Sequence, residues 1–359
     1  MFGSKRNRRA FLSPKALDSW PATLLAPYLE DRTLLPSALQ RSNSYARISR
    51  RAMACDFTLF FPAKYPSIVE AGCAALDEIQ RLERKLSVYR EDSEVTYLNR
   101  HGLDGDVVVD DELFTLLGKA ARITQETGSA FDVAAGALVK AWGFFRGPKR
   151  VPPESELSAA MASSGTSYVK LDAGSRTVRF LRDGVEINLG SIGKGYAIDR
   201  ALELIGKTYN ARCVLMHGGQ SSLKGIGAPP GEPRGWKVEI GDPHRSRASV
   251  ASVWLKNRAL GTSSAANQWF VDRGRQYGHI LDPRTGWPAE GLASASAIAS
   301  SAAEADSLST AFFVMGIEAT KQFCEQHPGI GAVLVTQKKA KQKPQVIALG
   351  TNVEEVELH

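Results

Sequence analysis

Apolar positions along this chain follow two periods, and the switches between them outline its elements. Met53, Cys55, Phe57 and Leu59 alternate with shorter or polar residues, the pattern of a strand with one apolar face. Val69, Cys73, Leu76, Ile79, Leu82 and Leu86 then recur every three or four residues, which predicts a helix with one stripe against a core. Ser67 precedes Glu70 by three, the spacing of a capping box at that helix's start. A second helical pattern covers 112–127 and closes at Gly128, where a left-handed residue ends a helix. The stretch 147–165, rich in Pro, Ser and Gly, reads as a surface excursion.

From Tyr168 onward short strands dominate. Val178–Leu181 and Val185–Leu189 flank Arg182-Asp183-Gly184, a hairpin signal. A glycine-rich turn leads into a helix over about 194–205, followed by strands at 213–216, 238–240 and 252–255. A helix over 305–316 and a strand over 332–335 complete the pattern. Strands in runs with segregated helices predict an α+β fold with mixed or antiparallel sheets.

Charge changes the picture only at one end. The net charge of +7 resides in residues 1–51, with ten Lys or Arg against three Asp or Glu; the remaining 308 residues are neutral. A basic arm on a neutral body argues against a surface that tracks nucleic acid. The expected organisation is a flexible arm over 1–50, a main domain over 51–350 that can divide into two subdomains, and a tail over 351–359. No apolar run approaches the length of a membrane span, so the chain reads as soluble. Arg8-Arg9-Ala10-Phe11-Leu12 resembles a twin-arginine export motif, but Ser13-Pro14-Lys15, Asp18 and Pro21 replace the apolar segment it needs. A cytoplasmic protein is expected, with export through a degenerate signal as the alternative. Cys55, Cys73, Cys213 and Cys324 are far apart with no CxxC pair, which fits free thiols and excludes a zinc ribbon.

Four local patterns carry chemistry. Gly190-Ser191-Ile192-Gly193-Lys194-Gly195 joins a strand to a helix start, where backbone N–H groups and a lysine can meet a phosphate; a plain β-to-α turn has the same composition. Asp306 and Thr310, four apart, share a helical face and offer the hard oxygens magnesium prefers, although a threonine there can equally bond back to a carbonyl. His279, beside the Asp282-Pro283-Arg284-Thr285-Gly286 turn, has the pKa range of a general base, and a lone histidine is as readily structural. Tyr89 and Phe131-Asp132 offer aromatic and carboxylate groups for a flat nucleotide, or for packing and capping.

Taken in order, these motifs resemble the ApbE family, the FAD:protein FMN transferases. The resemblance begins at Met53-Ala54-Cys55-Asp56-Phe57, similar to the family's Met-Gly-Thr-x-Phe. It continues through Leu86-Ser87-Val88-Tyr89, Gly128-Ser129-Ala130-Phe131-Asp132 and Trp142-Gly143-Phe144. Asn188 to Asp199, His217-Gly218-Gly219-Gln220, Thr262-Ser263, His279 to Gly286 and Ala305 to Ala311 follow, so that it spans about residues 50–318. It implies an ApbE-like flavin transferase fold, with FAD as substrate and Mg2+ as cofactor. FMN would pass to a threonine of a flavin-accepting protein bearing an Asp-x-x-Ser/Thr-Gly-Ala-Thr-like motif, in a phosphoester bond, with AMP released. Met53 would hold FAD, Tyr89 would stack on the flavin, and Ala130, Phe131 and Asp132 would line the nucleotide pocket. Asn188 and Lys194 are further FAD positions, and Ala295 matches a backbone contact. Magnesium would take the Ser191 carbonyl and the Asp306 and Thr310 side chains, with His279 as base. Asn188 stands where the family usually has Asp, Ser264 where it has Gly, and Gln220 where it has Asp. Those departures keep two alternatives in view: an FAD pyrophosphatase giving FMN and AMP, and a catalytically weak flavin-binding homologue.

Overall fold

The computed structural model describes residues 45–245, 247–265, 268–338, 344–351 and 355–359. The Arg8-Arg9 pair and most of the basic arm lie outside the described residues. The described chain opens with β1 (Tyr45–Ala52) and β2 (Cys55–Pro62), followed by α1 (Ile68–Leu86), α2 (Glu94–His101) and β3 (Val107–Val108). Helices α3 (Asp111–Glu126), α4 (Gly136–Ala141) and α5 (Glu154–Ala162) precede β4 (Val169–Asp172), β5 (Thr177–Phe180) and α6 (Gly193–Tyr209). Next come β6 (Val214–Gly218), β7 (Ser222–Ile226), β8 (Trp236–Gly241), β9 (Ser249–Leu255) and β10 (Arg258–Ser264). The hairpin β11 (Trp269–Asp272) and β12 (Arg275–Gly278) leads to β13 (Leu292–Ala299), α7 (Ala302–Gln326) and β14 (Gly331–Thr336), with β15 (Val346–Leu349) and β16 (Val356–Leu358) last.

Eight strands form one antiparallel sheet in the order β1-β2-β6-β7-β10-β13-β14-β15. Helices α1, α6 and α7 cover one face, burying Leu59, Met216, Ala295 and Ala297 together with Leu76, Ile198 and Leu308. The small sheet β16-β9-β8 covers the other, where Phe60, Leu215, Leu260 and Ile298 meet Val238 and Val253. Two covered faces explain why β6 and β13 are buried at every position instead of alternating. The α+β class is as expected. Among the described residues no helix is long and apolar enough to cross a membrane.

Several local expectations need correction. Ser67 sits in the left-handed region (φ 61°), and its side chain accepts no capping bond, so the capping box does not form. The apolar stripe of α1 runs through Ala71, Ala75, Leu76, Ile79, Leu82 and Leu86, leaving Val69 exposed. Residues 185–189 do not return along β5 as a hairpin; β5 pairs with β3 and β4, and Glu186 bridges Ala135. The excursion at 147–165 contains α5, which packs Leu157 and Ala160 against Trp142. The boundary expected at residue 50 falls inside β1, because Tyr45–Ala52 pairs along its whole length with β2. In the tail expected over 351–359, β16 adds to β9 as an edge strand.

The β1–β2 turn consists of Met53 and Ala54 alone, both left-handed at φ 46° and 63°. That geometry favours Asn-Gly, and a Cβ in it is strained. Ala54→Gly should therefore stabilise the protein by about 1 kcal/mol. A denaturation midpoint that rises at constant m-value is the check; an unchanged or lower midpoint would show that the turn carries no strain.

Candidate active site

Three close approaches of backbone to backbone build the site. Gly195, on the first turn of α6, lies against the start of α7: a Cβ there would be 2.1 Å from the Ala302 carbonyl oxygen. Only glycine permits this contact. It brings the Gly195 N–H to Asp306 Oδ2 at 2.8 Å. Gly261 in β10 meets the Ala305 carbonyl equally closely, so α7 is seated on both α6 and the sheet. The third approach, at Gly136, packs the start of α4 on the Glu186 backbone below Asn188.

Asp199, one turn further along α6, fixes the start of α7. Its carboxylate accepts from Ser301 Oγ at 2.7 Å, from the Ala302 and Ala303 N–H groups at 3.0 Å each, and from Lys224 Nζ at 2.6 Å. Spent donors at a helix N-terminus beside an ion pair make a strong local anchor. Asp199→Ala should cost about 2–4 kcal/mol, combining a lost cap with a half-buried lysine left unpaired. Calorimetry checks this, and a loss under about 0.5 kcal/mol would make the anchor incidental.

A cleft of about 380 Å³ opens beside this junction. Tyr89, Ala130, Phe131, Asp132, Asn188, Ser191, Lys194, His279, Asp306 and Thr310 all line it. Met53 and Ala295 do not. Met53 is half-buried in its turn, with its N–H donating to Glu83 Oε1 at 2.8 Å. Ala295 is fully buried inside the sheet, paired with Ser263 and Leu334.

Part of the lining is rich in oxygen donors. Asp306 is buried, and that burial pushes its carboxyl up to about 6, while the Lys194 ammonium and the Gly195 N–H pull the other way. Thr310 Oγ1 lies 3.1 Å from Ser263 Oγ and donates only weakly, at 3.4 Å, to the Asp306 carbonyl. Ser263 also meets Ser309 Oγ at 2.9 Å, so a single β10 hydroxyl contacts both side chains on this face of α7. Ser191 and Lys194 flank the start of the 17-residue helix α6, whose dipole favours an anion, although the Gly193 and Gly195 N–H groups are already spent on the Leu189 carbonyl and Asp306. Asn188 Oδ1 accepts from the Gly190 N–H at 2.9 Å, shaping the turn that presents Ser191.

Asp132 serves a structural purpose on the wall. It accepts from the Ala134 N–H and the Thr166 N–H, both at 2.8 Å, and from Thr166 Oγ1 at 2.5 Å. Phe131 is buried beneath it, so the loop contributes a fixed wall to the cleft.

His279 also lines the cleft, directly after β12. Its Nδ1 is 3.1 Å from the Gln268 carbonyl oxygen, which can only accept, so Nδ1 carries the proton and Nε2 keeps a free lone pair. Burial lowers its pKa below the ordinary value, with Lys149 and Lys194 adding to the effect and the Gln268 bond opposing it. The Asp282–Gly286 turn is held without it. Asp282 accepts from the Arg284 N–H at 2.9 Å, and Trp142 Nε1 donates to the Gly286 carbonyl at 2.8 Å. His217, the other histidine within a family-like motif, is buried in β6 and pushed down to about 4 by that burial. It is not in the cleft.

Sequence reasoning missed Asp199, Gln268, Ser263 and Ser309 as supports. Asp199 and Ser263 stood within quoted motifs, but their partners are remote in sequence. Gln268 carries no motif signal.

Oxygen donors, a lysine, a helix N-terminus and a neutral histidine on one cleft are the parts of a site for transfer at phosphorus. The chain belongs to the ApbE family: a model of that family matches residues 53–334. An FAD:protein FMN transferase of Treponema pallidum is 32% identical over 280 residues, covering 73% of this chain and 77% of the relative. The crystal structure of the ApbE protein of Thermotoga maritima superposes with a TM-score of 0.74 at 31% identity, covering 81% of this chain and 94% of that one. The flavinyl transferase ApbE of Pseudomonas stutzeri, in its apo form, gives 0.75 at 26% identity, covering 86% and 98%.

Proposed function

We propose that this protein is an FAD:protein FMN transferase that uses magnesium and attaches FMN to a threonine of an acceptor protein. The observation that carries the reading is the gathering of Ser191, Lys194, Asp306, Thr310, His279 and the half-exposed Tyr89 on the lining of a single cleft. Family membership and the names of the relatives support the same activity.

The donor set fits the metal. Among the described residues no three His, Cys, Asp or Glu side chains gather to hold a metal by themselves. One carboxylate, one hydroxyl and one backbone carbonyl is the partial oxygen set that magnesium completes with water and substrate phosphate. Asp306, Thr310 and the Ser191 carbonyl would hold it, and when bound it would neutralise charge on the pyrophosphate.

The chain's own groups then divide the work. Lys194, aided by the positive end of the α6 dipole, would hold the phosphates and meet negative charge as it develops. His279 Nε2 accepts the proton of the threonine hydroxyl. The threonine oxygen forms its bond to the FMN phosphorus as the bond to the bridging oxygen breaks, and AMP leaves with that oxygen. The closed wall of Ala130, Phe131 and Asp132 keeps the nucleotide in line.

Release of AMP from FAD, followed by chromatography with and without an acceptor, tests the scheme. AMP formation that stops with chelator, returns with magnesium and depends on acceptor is the expected result. Acceptor-independent release of free FMN would favour hydrolysis instead.

A further inference from the structure

We propose that the segment Gly143–Gly147 is a positioning strap for the flavin, with Phe145 as the backing ring that fixes the orientation of Tyr89. The inference rests on the reading that Tyr89 stacks on the flavin, and it assigns a role to residues outside that reading.

The strap begins where α4 ends. The Phe144 N–H donates to the Val139 carbonyl at 3.0 Å and the Gly143 N–H to the Lys140 carbonyl at 2.9 Å, the paired bonds of a Schellman turn. Gly143 supplies the left-handed residue (φ 73°), and a Cβ there would lie 2.2 Å from the Pro148 carbonyl oxygen. Trp142 beneath it is fully buried. The exit direction of the chain is therefore fixed by the sequence Trp-Gly-Phe.

From that exit the two phenylalanines serve opposite sides. Phe144 lines the cleft and meets His279 edge-on, with ring centroids 6.3 Å apart. Phe145 stays out of the cleft and stacks on Tyr89 at 4.8 Å with 20° between the rings. Arg146 clamps the same residue twice. Its Nη2 donates to the Tyr89 carbonyl at 2.9 Å, and its guanidinium lies 5.2 Å from the Phe145 centroid and 5.9 Å from that of Tyr89.

Tyr89 needs this support because it is 55% exposed and comes just after α1 has ended. An exposed tyrosine on a loop samples several rotamers, and a flat ligand is stacked by only one of them. Phe145 covers one face of the Tyr89 ring and does not line the cleft, whereas Tyr89 does, so the other face would be the one offered to a ring in the cleft. Flavin, Tyr89 and Phe145 would form a three-layer stack. One strap would thus link Tyr89 to His279 through two adjacent rings.

The test is a cycle of Tyr89→Ala, Phe145→Ala and the double variant, read by flavin fluorescence titration. Phe145→Ala should raise the FAD dissociation constant about two- to tenfold, the range for one aromatic pair. The turnover number at saturating FAD should stay within about twofold, and Phe145→Trp should restore affinity. The double variant should bind no more weakly than Tyr89→Ala alone, since Phe145 acts only through that ring. Unchanged or tighter binding in Phe145→Ala while Tyr89→Ala weakens it would overturn the strap, as would additive losses in the double variant. Unchanged binding in Tyr89→Ala would remove the flavin contact itself and the strap's role with it.

Discussion

Replacing His279 with alanine should lower FMN transfer by about 10²–10⁴-fold, the usual contribution of a general base. FAD affinity should barely change, because the ring would act on the incoming hydroxyl and holds no part of the nucleotide. Its bond to Gln268 fixes the tautomer with Nε2 free, which is the form a base requires. The sign of the pH dependence follows from the environment. Burial and two lysines lower the His279 pKa, so the neutral form that a base would need persists to lower pH than for a free imidazole. The rate should rise with pH through a midpoint below about 6.5 and then level off, and that limb should be absent from the alanine variant. A purely structural histidine would behave differently. Its loss would lower the melting temperature, FAD binding and rate together, and proportionate losses of that kind would end the catalytic assignment.

Asp306→Asn should abolish transfer at ordinary magnesium concentrations, by at least about 10²–10³-fold, the range for losing one preorganised charge-stabilising group. The amide keeps the shape of the carboxylate, and its oxygen can still accept from the Gly195 N–H that holds Asp306 at 2.8 Å. Folding should therefore survive. Burial already works against the charged form of Asp306, so the metal-free variant should melt at the same temperature as the parent or higher. Magnesium should then stabilise the parent in the presence of FAD and leave the variant unmoved. Full transfer at an unchanged magnesium optimum would show that Asp306 is not a ligand.

Much of this site was legible because its parts carry local signals. The helices over 68–86 and 111–126 and the turn before Lys194 follow from apolar period and glycine placement alone. Chemistry-bearing residues such as Tyr89, Lys194, His279 and Asp306 stood in motifs whose order resembles one family, and the structure places all four on one cleft. What escaped reading depends on partners distant in the chain. The cap that Asp199 provides to Ala302 spans 103 positions, and no local pattern in α6 announces it. The hairpin expected around Arg182-Asp183-Gly184 fails because β5 finds β3 and β4 as partners. Ser67 shows the converse: the capping-box spacing is present, but its left-handed backbone directs the hydroxyl elsewhere. Met53 and Ala295, carried over from the resemblance, fall outside the cleft lining. Motif position alone does not separate a residue that touches the cleft from one that shapes the sheet behind it.

Mass spectrometry of an acceptor protein, after incubation with this protein, FAD and magnesium, tests the central claim most directly. The expected result is a gain of one FMN unit, located by fragmentation on a single threonine and absent when magnesium is chelated or Asp306 is replaced. An acceptor of unchanged mass, in a reaction that has converted FAD to free FMN and AMP, would contradict it.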